Sequence, residues 1–388
     1  MEPTNSKIVR GTRRLSLDVI RSLAILSVLD CHLSGFVFEG SGHPLTASLV
    51  YSLGRIGVPL FVMLTGYLML PRDYDGSYLS KYLKSNVLGL FVAYEIWNVL
   101  WYLLGCIPGL PTLNNGLPIS IQTLLQSMVF MGETNTAMWY LQMILGIYLG
   151  IPIVAYLVRM VQKKDSRPYG RILLTLLIYF GVVVPGISET FSFLGLPIQA
   201  SPVMSLNVFG TSVWGGSVWM VYLLGGYMIS RERLRRMPRW VLAGVALLSI
   251  GVLTSMSYMH SVRGAGEAFQ YDSPLYVCLS LSLFELIDGS HVLNMMEGMP
   301  ARLIGMLSRW SFPTYMLHFW MFAVVLAIMN TWNITFLTFA QVNSAVALAT
   351  LAGAIAVVQA LCIITAWITS RVPLVAHWCY LMRGSVRH

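Results

Sequence analysis

Long apolar stretches separated by mostly short polar connections set the pattern of this chain. Segments near 15–37, 45–70, 86–105, 137–158, 172–187, 211–230, 240–259, 274–290, 310–329 and 344–370 approach or reach membrane-spanning length, because a hydrocarbon core of roughly 30 Å takes about 20 helical residues. The pattern predicts an all-α, polytopic integral membrane bundle of about ten transmembrane helices. Two connections, near 106–136 and 188–210, are longer and rich in Pro, Gly, Ser and Asn. Within the first, Ile119 to Met131 is apolar but too short to cross, which predicts an interfacial or re-entrant helix.

Composition agrees with a bilayer solvent: 56% of the 388 residues are hydrophobic and 11% charged, against about 25% charged in a soluble domain. The formal net charge of +9 does not call for a nucleic-acid partner. If the N-terminus is cytoplasmic, all 25 Lys and Arg except Arg21, Arg55 and Arg263 fall in the segments on that same side. That is the positive-inside asymmetry, and it predicts that both termini are cytoplasmic. The cluster from Arg231 to Arg239 then reads as topology and contact with anionic lipid. Residues 1–14 resemble the basic leader of a secretory signal, but the apolar stretch that follows is long and has no small-residue cleavage site, so the first span is expected to be retained. The chain reads as one membrane domain over 1–388, with a basic cytoplasmic leader (1–14) and a cytoplasmic tail (371–388). Five scattered cysteines without CxxC spacing indicate neither a disulfide framework nor a zinc site, and no metal is expected.

Charged groups inside a span are costly, so each is a candidate functional residue. The first span carries Asp18, Arg21, Asp30 and His32. Arg21 and His32 are eleven residues apart, almost three whole helical turns, so they share a face about 16 Å apart along the axis. Asp18 lies one turn before Arg21 on nearly that face. Asp30 points away and is a poor partner for His32. Arg55 in the second span and Glu95 in the third read either as a buried pair or as ligand-binding groups. Glu285 and Asp288 fall at the end of the eighth span, where solvated capping positions are expected, and receive no role.

The stretch "LSLDVIRSLAILSVLDCH" resembles the opening helix of the acyltransferase type 3 family, whose pattern is an Asp, then Arg, then ten residues, then His; Asp18, Arg21 and His32 match. "RIGVPLFVMLTGYLML" is similar to that family's second span, with Pro59, Leu60 and Phe61 followed by Thr65, Gly66 and Tyr67; Pro59 and Gly66 break the helix locally and predict a kink with close helix packing at Gly66. "MWYLQMILGIYL" and "SFPTYMLHFW" add Trp139, Tyr140, Leu141, Tyr148, Ser311, Tyr315, Leu317 and His318. Many relatives place His-Leu before the Trp-aromatic-Leu triplet, where this chain has Ala137 and Met138. The resemblance is weakest over 160–300.

This resemblance implies a membrane acyltransferase that moves an acyl group, commonly acetyl, from cytoplasmic acyl-coenzyme A to a hydroxyl of a glycan or lipid-linked sugar in the cell envelope. The acyl-CoA is a co-substrate, and no tightly bound cofactor is expected. The residues suit that chemistry: an attacking alcohol must lose its proton, and a His, with its ordinary pKa near 6.5, is well matched as general base, which assigns the step to His32. Arg21 offers a fixed, always-ionised fork to a phosphate or pantetheine carbonyl, with Asp18 orienting it, and Arg55 is a further donor-side candidate. His318 could relay the acyl group, and Trp139, Tyr140, Tyr148 and Tyr315 could stack on a sugar. His32 lies about 26 Å along the helix from Leu15, so a cytoplasmic thioester must thread deep, either along the Arg21–His32 stripe or by relay. The acceptor is the glycan itself or a separate extracytoplasmic acyl-carrying protein. The expected location is the plasma or inner membrane. A flippase for a lipid-linked glycan is the rival reading, since intramembrane Arg and His also suit a translocation path.

Overall fold

A computed structural model describes residues 14–107, 119–132, 134–135, 137–196, 218–232, 237–263 and 270–382. Lys7, Arg10 and Arg13 of the basic leader, Arg383 and Arg387 of the tail, much of both long connections and the middle of the 231–239 cluster lie outside them. The helices are α1 (Leu15–Phe38), α2 (Pro44–Gly54), α3 (Gly57–Met69), α4 (Gly76–Tyr82), α5 (Leu88–Gly105), α6 (Ile121–Met128), α7 (Met138–Gln162), α8 (Arg167–Ile178), α9 (Val184–Phe193) and α10 (Val218–Ser230). They continue with α11 (Arg239–Arg263), α12 (Pro274–Asp288), α13 (His291–Asn294), α14 (Gly298–Arg309), α15 (Ser311–Thr331), α16 (Phe336–Ala340) and α17 (Ser344–Thr369). Among the described residues there is no strand.

Among the described residues, eight helices or near-continuous helix pairs are long and apolar enough to cross a membrane: α1, α2–α3, α4–α5, α7, α8–α9, α11, α15 and α17. Of the expected spans at 211–230 and 274–290, the first is described only in part and the second takes a shorter form. Residues 211–217 lie outside the described chain and α10 covers 218–230, while α12 has 15 residues, about 22 Å of helix. Both helices are mostly enclosed by protein, so the short α12 does not have to match the bilayer thickness alone. Large apolar side chains of α11 and α17, among them Leu247, Leu248, Ile364 and Trp367, are exposed, as faces turned to lipid tails must be.

At the centre lies α1, packed against α2, α3, α14, α15, α16 and α17. The second span is broken at Arg55–Ile56 into α2 and α3 rather than kinked at Pro59. Pro59 falls in the first turn of α3, where its missing N–H removes no helical bond. Close packing at Gly66, expected from the sequence, is present: a Cβ there would lie 1.8 Å from the Leu223 carbonyl oxygen, and one on Gly226 would lie 1.9 Å from that of Met63. In lipid, where helices gain little from hydrophobic burial against one another, such backbone contact is a main source of association. Gly226→Ala should therefore separate α3 from α10 and destabilise the protein by at least ~1–3 kcal/mol, read as a lowered midpoint of thermal unfolding in detergent; an unchanged midpoint would show that the two helices do not meet there.

The third span starts earlier than predicted, at α4, and passes through a π-helical segment, Leu83–Val87, before α5. The short apolar stretch after α5 forms α6, capped by Ser120. It is anchored by Asn98, whose Oδ1 accepts from Ser127 Oγ at 2.7 Å and Thr134 Oγ1 at 2.9 Å. Two features were not anticipated. The predicted loop after the eighth span contains α14, an amphipathic helix with Met299, Leu303 and Met306 exposed. After α17 the chain turns back: Trp97 donates its indole N–H to the Cys379 carbonyl at 3.0 Å, and Tyr380 bonds Thr369 at 2.8 Å.

Candidate functional site

One end of the bundle, where α1 begins, carries Arg14, Arg72, Arg159, Arg302 and Arg309. A cavity of about 390 Å3 rises from it, lined by Arg21, Arg72, Tyr140, Tyr148, Ser311 and Tyr315, with Phe61, Thr65 and apolar residues between them. Ser85 and Asn86 also face it, both from the π-helical segment, a feature that commonly re-aims side chains at functional positions. Of the aromatic candidates, Tyr140, Tyr148 and Tyr315 are thus brought together around Arg21, inside the protein rather than in an interfacial belt. Tyr140 and Tyr315 are in ring contact at 4.9 Å.

Arg21 is half-buried and is tied to α14: its Nη1 donates to Ser308 Oγ at 3.4 Å, and Ser308 Oγ donates to Asp18 Oδ1 at 2.6 Å. The serine hydroxyl thereby links the guanidinium to the buried carboxylate expected to orient it. Ser308 escapes sequence reading because it lies 290 positions from Asp18, and a lone Ser in a polar connection carries no local signal. Arg72 was also missed as a cavity residue: its charge reads as ordinary topology, yet it stands at the cavity's basic mouth, held by Tyr78 at 2.9 Å.

His32 and His318 meet at the far side of Tyr315. Their ring centroids are 5.2 Å apart, and both pack on Phe319. His318 is fully buried, and its Nδ1 lies 2.6 Å from the Tyr315 carbonyl oxygen. Two lone pairs would repel at that distance, so Nδ1 carries the proton and Nε2 is left as the bare, basic nitrogen. That Nε2 is buried and without a hydrogen-bond partner. Tyr315 couples this pair to the cavity: its hydroxyl donates to the Ala137 carbonyl at 2.7 Å, at the start of α7. The position where many relatives have His is therefore a backbone acceptor contact here.

The open stripe imagined between Arg21 and His32 along α1 is filled. Ile25, Val28 and Leu29 lie on that face and are almost completely buried. The cavity instead climbs beside α1, along Tyr140, Ile144 and Tyr315. The predicted Arg55–Glu95 pair does not form. Arg55, at the α2–α3 break, donates to Gln270 at 3.1 Å and lies over the rings of Tyr51 and Tyr271, while both Glu95 carboxylate oxygens are buried without a hydrogen-bond partner. A break between α2 and α3 turns the arginine toward α12's approach segment instead of α5. Trp139 joins Arg55's surroundings, in ring contact with Trp219 at 6.1 Å and Tyr271 at 5.9 Å.

Glu285 and Asp288 are not solvated. They are 4% and 3% exposed, because α12 ends inside the bundle. Asp288 accepts from Ser16 at 3.2 Å and Tyr67 at 3.3 Å and faces Arg14 at 3.6 Å, fastening α1, α3 and α12 together. All five cysteines are unpaired, and among the described residues no three of His, Cys, Asp and Glu converge as a metal site would require.

Comparison with known proteins supplies the family. The acyltransferase domain of the acyltransferase 3 family matches residues 14–365. That match spans α1 to α17 and takes in the cavity, the Asp18–Ser308–Arg21 link and the histidine pair. No curated protein and no solved structure matches the chain. With nearly its whole length inside one family, the chain is a member of the acyltransferase 3 family, a multi-pass membrane acyltransferase.

Proposed function

We propose that this acyltransferase takes an acyl group, acetyl in the simplest case, from cytoplasmic acyl-coenzyme A and delivers it to a hydroxyl of a lipid-linked or cell-surface glycan across the plasma or inner membrane. The observation that carries this reading is the cavity with Arg21 and Arg72 in its wall and the His32–His318 pair behind Tyr315. By the positive-inside rule the basic end faces the cytoplasm, so the cavity opens toward the donor and its far end toward the acceptor.

In this reading the donor's arm lies along Tyr140, Tyr148 and Tyr315, and Arg21, steadied through Ser308 by Asp18, binds a phosphate or amide oxygen of the donor. The acceptor hydroxyl attacks the thioester carbonyl carbon. Its proton passes to His32, the carbon–oxygen bond forms, and the carbon–sulfur bond breaks with the electron pair leaving on sulfur; His32 then returns the proton to the departing thiolate. His318, with its bare Nε2 and its contact to His32, positions that base and serves as an alternative proton acceptor. Trp139, with Trp219 and Tyr271, supplies aromatic surface toward the acceptor, and Arg55, expected on the donor side but absent from the cavity wall and packed on Tyr271, belongs with that group. The acceptor is the glycan, or a separate extracytoplasmic protein that carries the acyl group onward.

The purified protein in detergent, given labelled acetyl-CoA and a lipid-linked glycan fraction, should release free coenzyme A and label the glycan without any membrane gradient. Binding without release of thiol, under conditions where a succinyl or longer donor is also inert, would overturn the reading and favour a glycan flippase.

A further inference from the structure

A second concavity of about 840 Å3 lies at the basic end, between the start of α1 and α14, and carries three guanidinium groups: Arg14, Arg302 and Arg309. Asp18 and Glu297 also border it, but Asp18 is engaged by Ser308 at 2.6 Å and Glu297 stands exposed at the rim. The arginines are arranged rather than scattered. Arg302 and Arg309 are seven residues apart on α14, nearly two turns, which puts them on one face about 10 Å apart. Arg309 lies over the Trp310 ring at 5.7 Å, and Arg14 is held by Tyr67 and by Asp288. Gly298, Ala301 and Gly305 line the same concavity and keep its floor low, so a ligand can lie close to the helix between the forks. Guanidinium forks around a low floor suit phosphate groups, which they bind bidentately.

The position of the groove points to its ligand. Arg14 immediately precedes α1, and Arg21 lies in that helix's second turn, about 10 Å further along the axis. Trp310 lines the groove, while Ser311 and Phe312, next in the chain, line the cavity. The junction of α14 with α15 and the Asp18–Ser308–Arg21 link thus lie between the two spaces. A ligand with a polyphosphate end and a long thin arm can place the first in the groove and the second in the cavity.

We infer that this groove is the subsite for the phosphorylated nucleotide end of the donor, its diphosphate and ribose phosphate held by Arg302, Arg309 and Arg14. The inference rests on the coenzyme A reading above. A phospholipid headgroup shares the phosphate chemistry, and the exposed Met299, Leu303 and Met306 of α14 would lie in the membrane interface beside it. The groove's place beside the cavity, across the α14–α15 junction, decides for the donor.

The test is binding of adenosine 3′,5′-bisphosphate and of coenzyme A to the full-length protein in nanodiscs, zwitterionic or containing phosphatidylglycerol, for wild type and for Arg302→Ala/Arg309→Ala. Both side chains are exposed, so the variant should fold, and an unchanged thermal midpoint without ligand checks that it does. The bisphosphate should bind wild type in zwitterionic discs, and the double variant should lose about tenfold or more, as expected for lost charged hydrogen bonds. No bisphosphate binding by wild type, undiminished binding by the variant, or a loss confined to retention of phosphatidylglycerol would each overturn the inference. Turnover of acetyl-CoA is read separately: bisphosphate binding without thioester cleavage sinks the acetyl-transfer reading and leaves the groove standing, and the reverse result does the opposite.

Discussion

Replacing His32 with alanine or phenylalanine is expected to leave donor binding intact while lowering acyl transfer by about 10²–10⁴-fold, the usual contribution of a positioned general base. The physical basis is local. Within the bundle the only acidic neighbour on its own helix, Asp30, points to the α2 side, where its Oδ2 lies 3.0 Å from where a Cβ on Gly54 would stand. What surrounds the His32 ring is His318 and Phe319, so its nitrogens are not absorbed by an ion pair with that carboxylate. His32→Phe retains an aromatic ring against Phe319, which separates loss of packing from loss of the base. His318→Gln should also lower turnover, since Gln keeps a polar head but offers no basic nitrogen. Single-turnover release of labelled acetyl, with donor affinity measured alongside by thermal shift, checks all three. If His32→Phe transfers acyl groups at the wild-type rate, His32 is not the base, and the role passes to another group.

The second large effect is expected at Arg21. Arg21→Lys keeps the charge but removes the planar fork, and KM for the acyl donor should rise at least tenfold, because a charged hydrogen bond to a phosphate or carbonyl contributes roughly 1.5–3 kcal/mol. Ser308→Ala should give a smaller rise by leaving Asp18 without the hydroxyl that donates to it at 2.6 Å. The two changes act on one network, so together they should cost clearly less than the sum of their separate effects. Steady-state kinetics on the two single variants and the double variant test this. Strict additivity would mean that Ser308 and Arg21 act independently and that the Asp18 link does not position the guanidinium.

The parts of this protein that were legible along the chain rest on short-range or solvent-level rules. Apolar length set by bilayer thickness located six of the eight spans within four residues of their observed ends, while the third and fifth, expected at 86–105 and 172–187, run over 76–105 and 164–193; the sorting of Lys and Arg foretold the basic end. Helical periodicity put Asp18, Arg21 and His32 on one face of α1 before any contact was known. The small Gly66 announced a close helix approach, because a hydrogen in place of a side chain on an apolar helix has few other uses in lipid. The family resemblance, carried by four stretches spread over the chain, holds across residues 14–365.

What those rules miss depends on distant pairings. Ser308 and Asp288 are bonded to helices far away in the chain, and Arg72, held locally by Tyr78, borders a cavity whose other walls are distant helices; no local spacing encodes which helices become neighbours. Arg55 and Glu95 looked like a pair because each is costly alone in a membrane, yet the break before α3 sends Arg55 toward Gln270 and Tyr271. Amphipathic α14 hid in a polar connection because a helix lying along the interface needs no twenty-residue apolar run. The sequence by itself determined that this is a helical membrane protein carrying an Asp-Arg-His face, since hydrophobic length, charge sorting and helical period act residue by residue. Only the tertiary structure decided that Ile25 and Leu29 close the direct path along α1, that the cavity rises beside Tyr140 and Tyr315, and that His318 stands against His32, because those arrangements follow from which helices pack together and how closely their backbones approach.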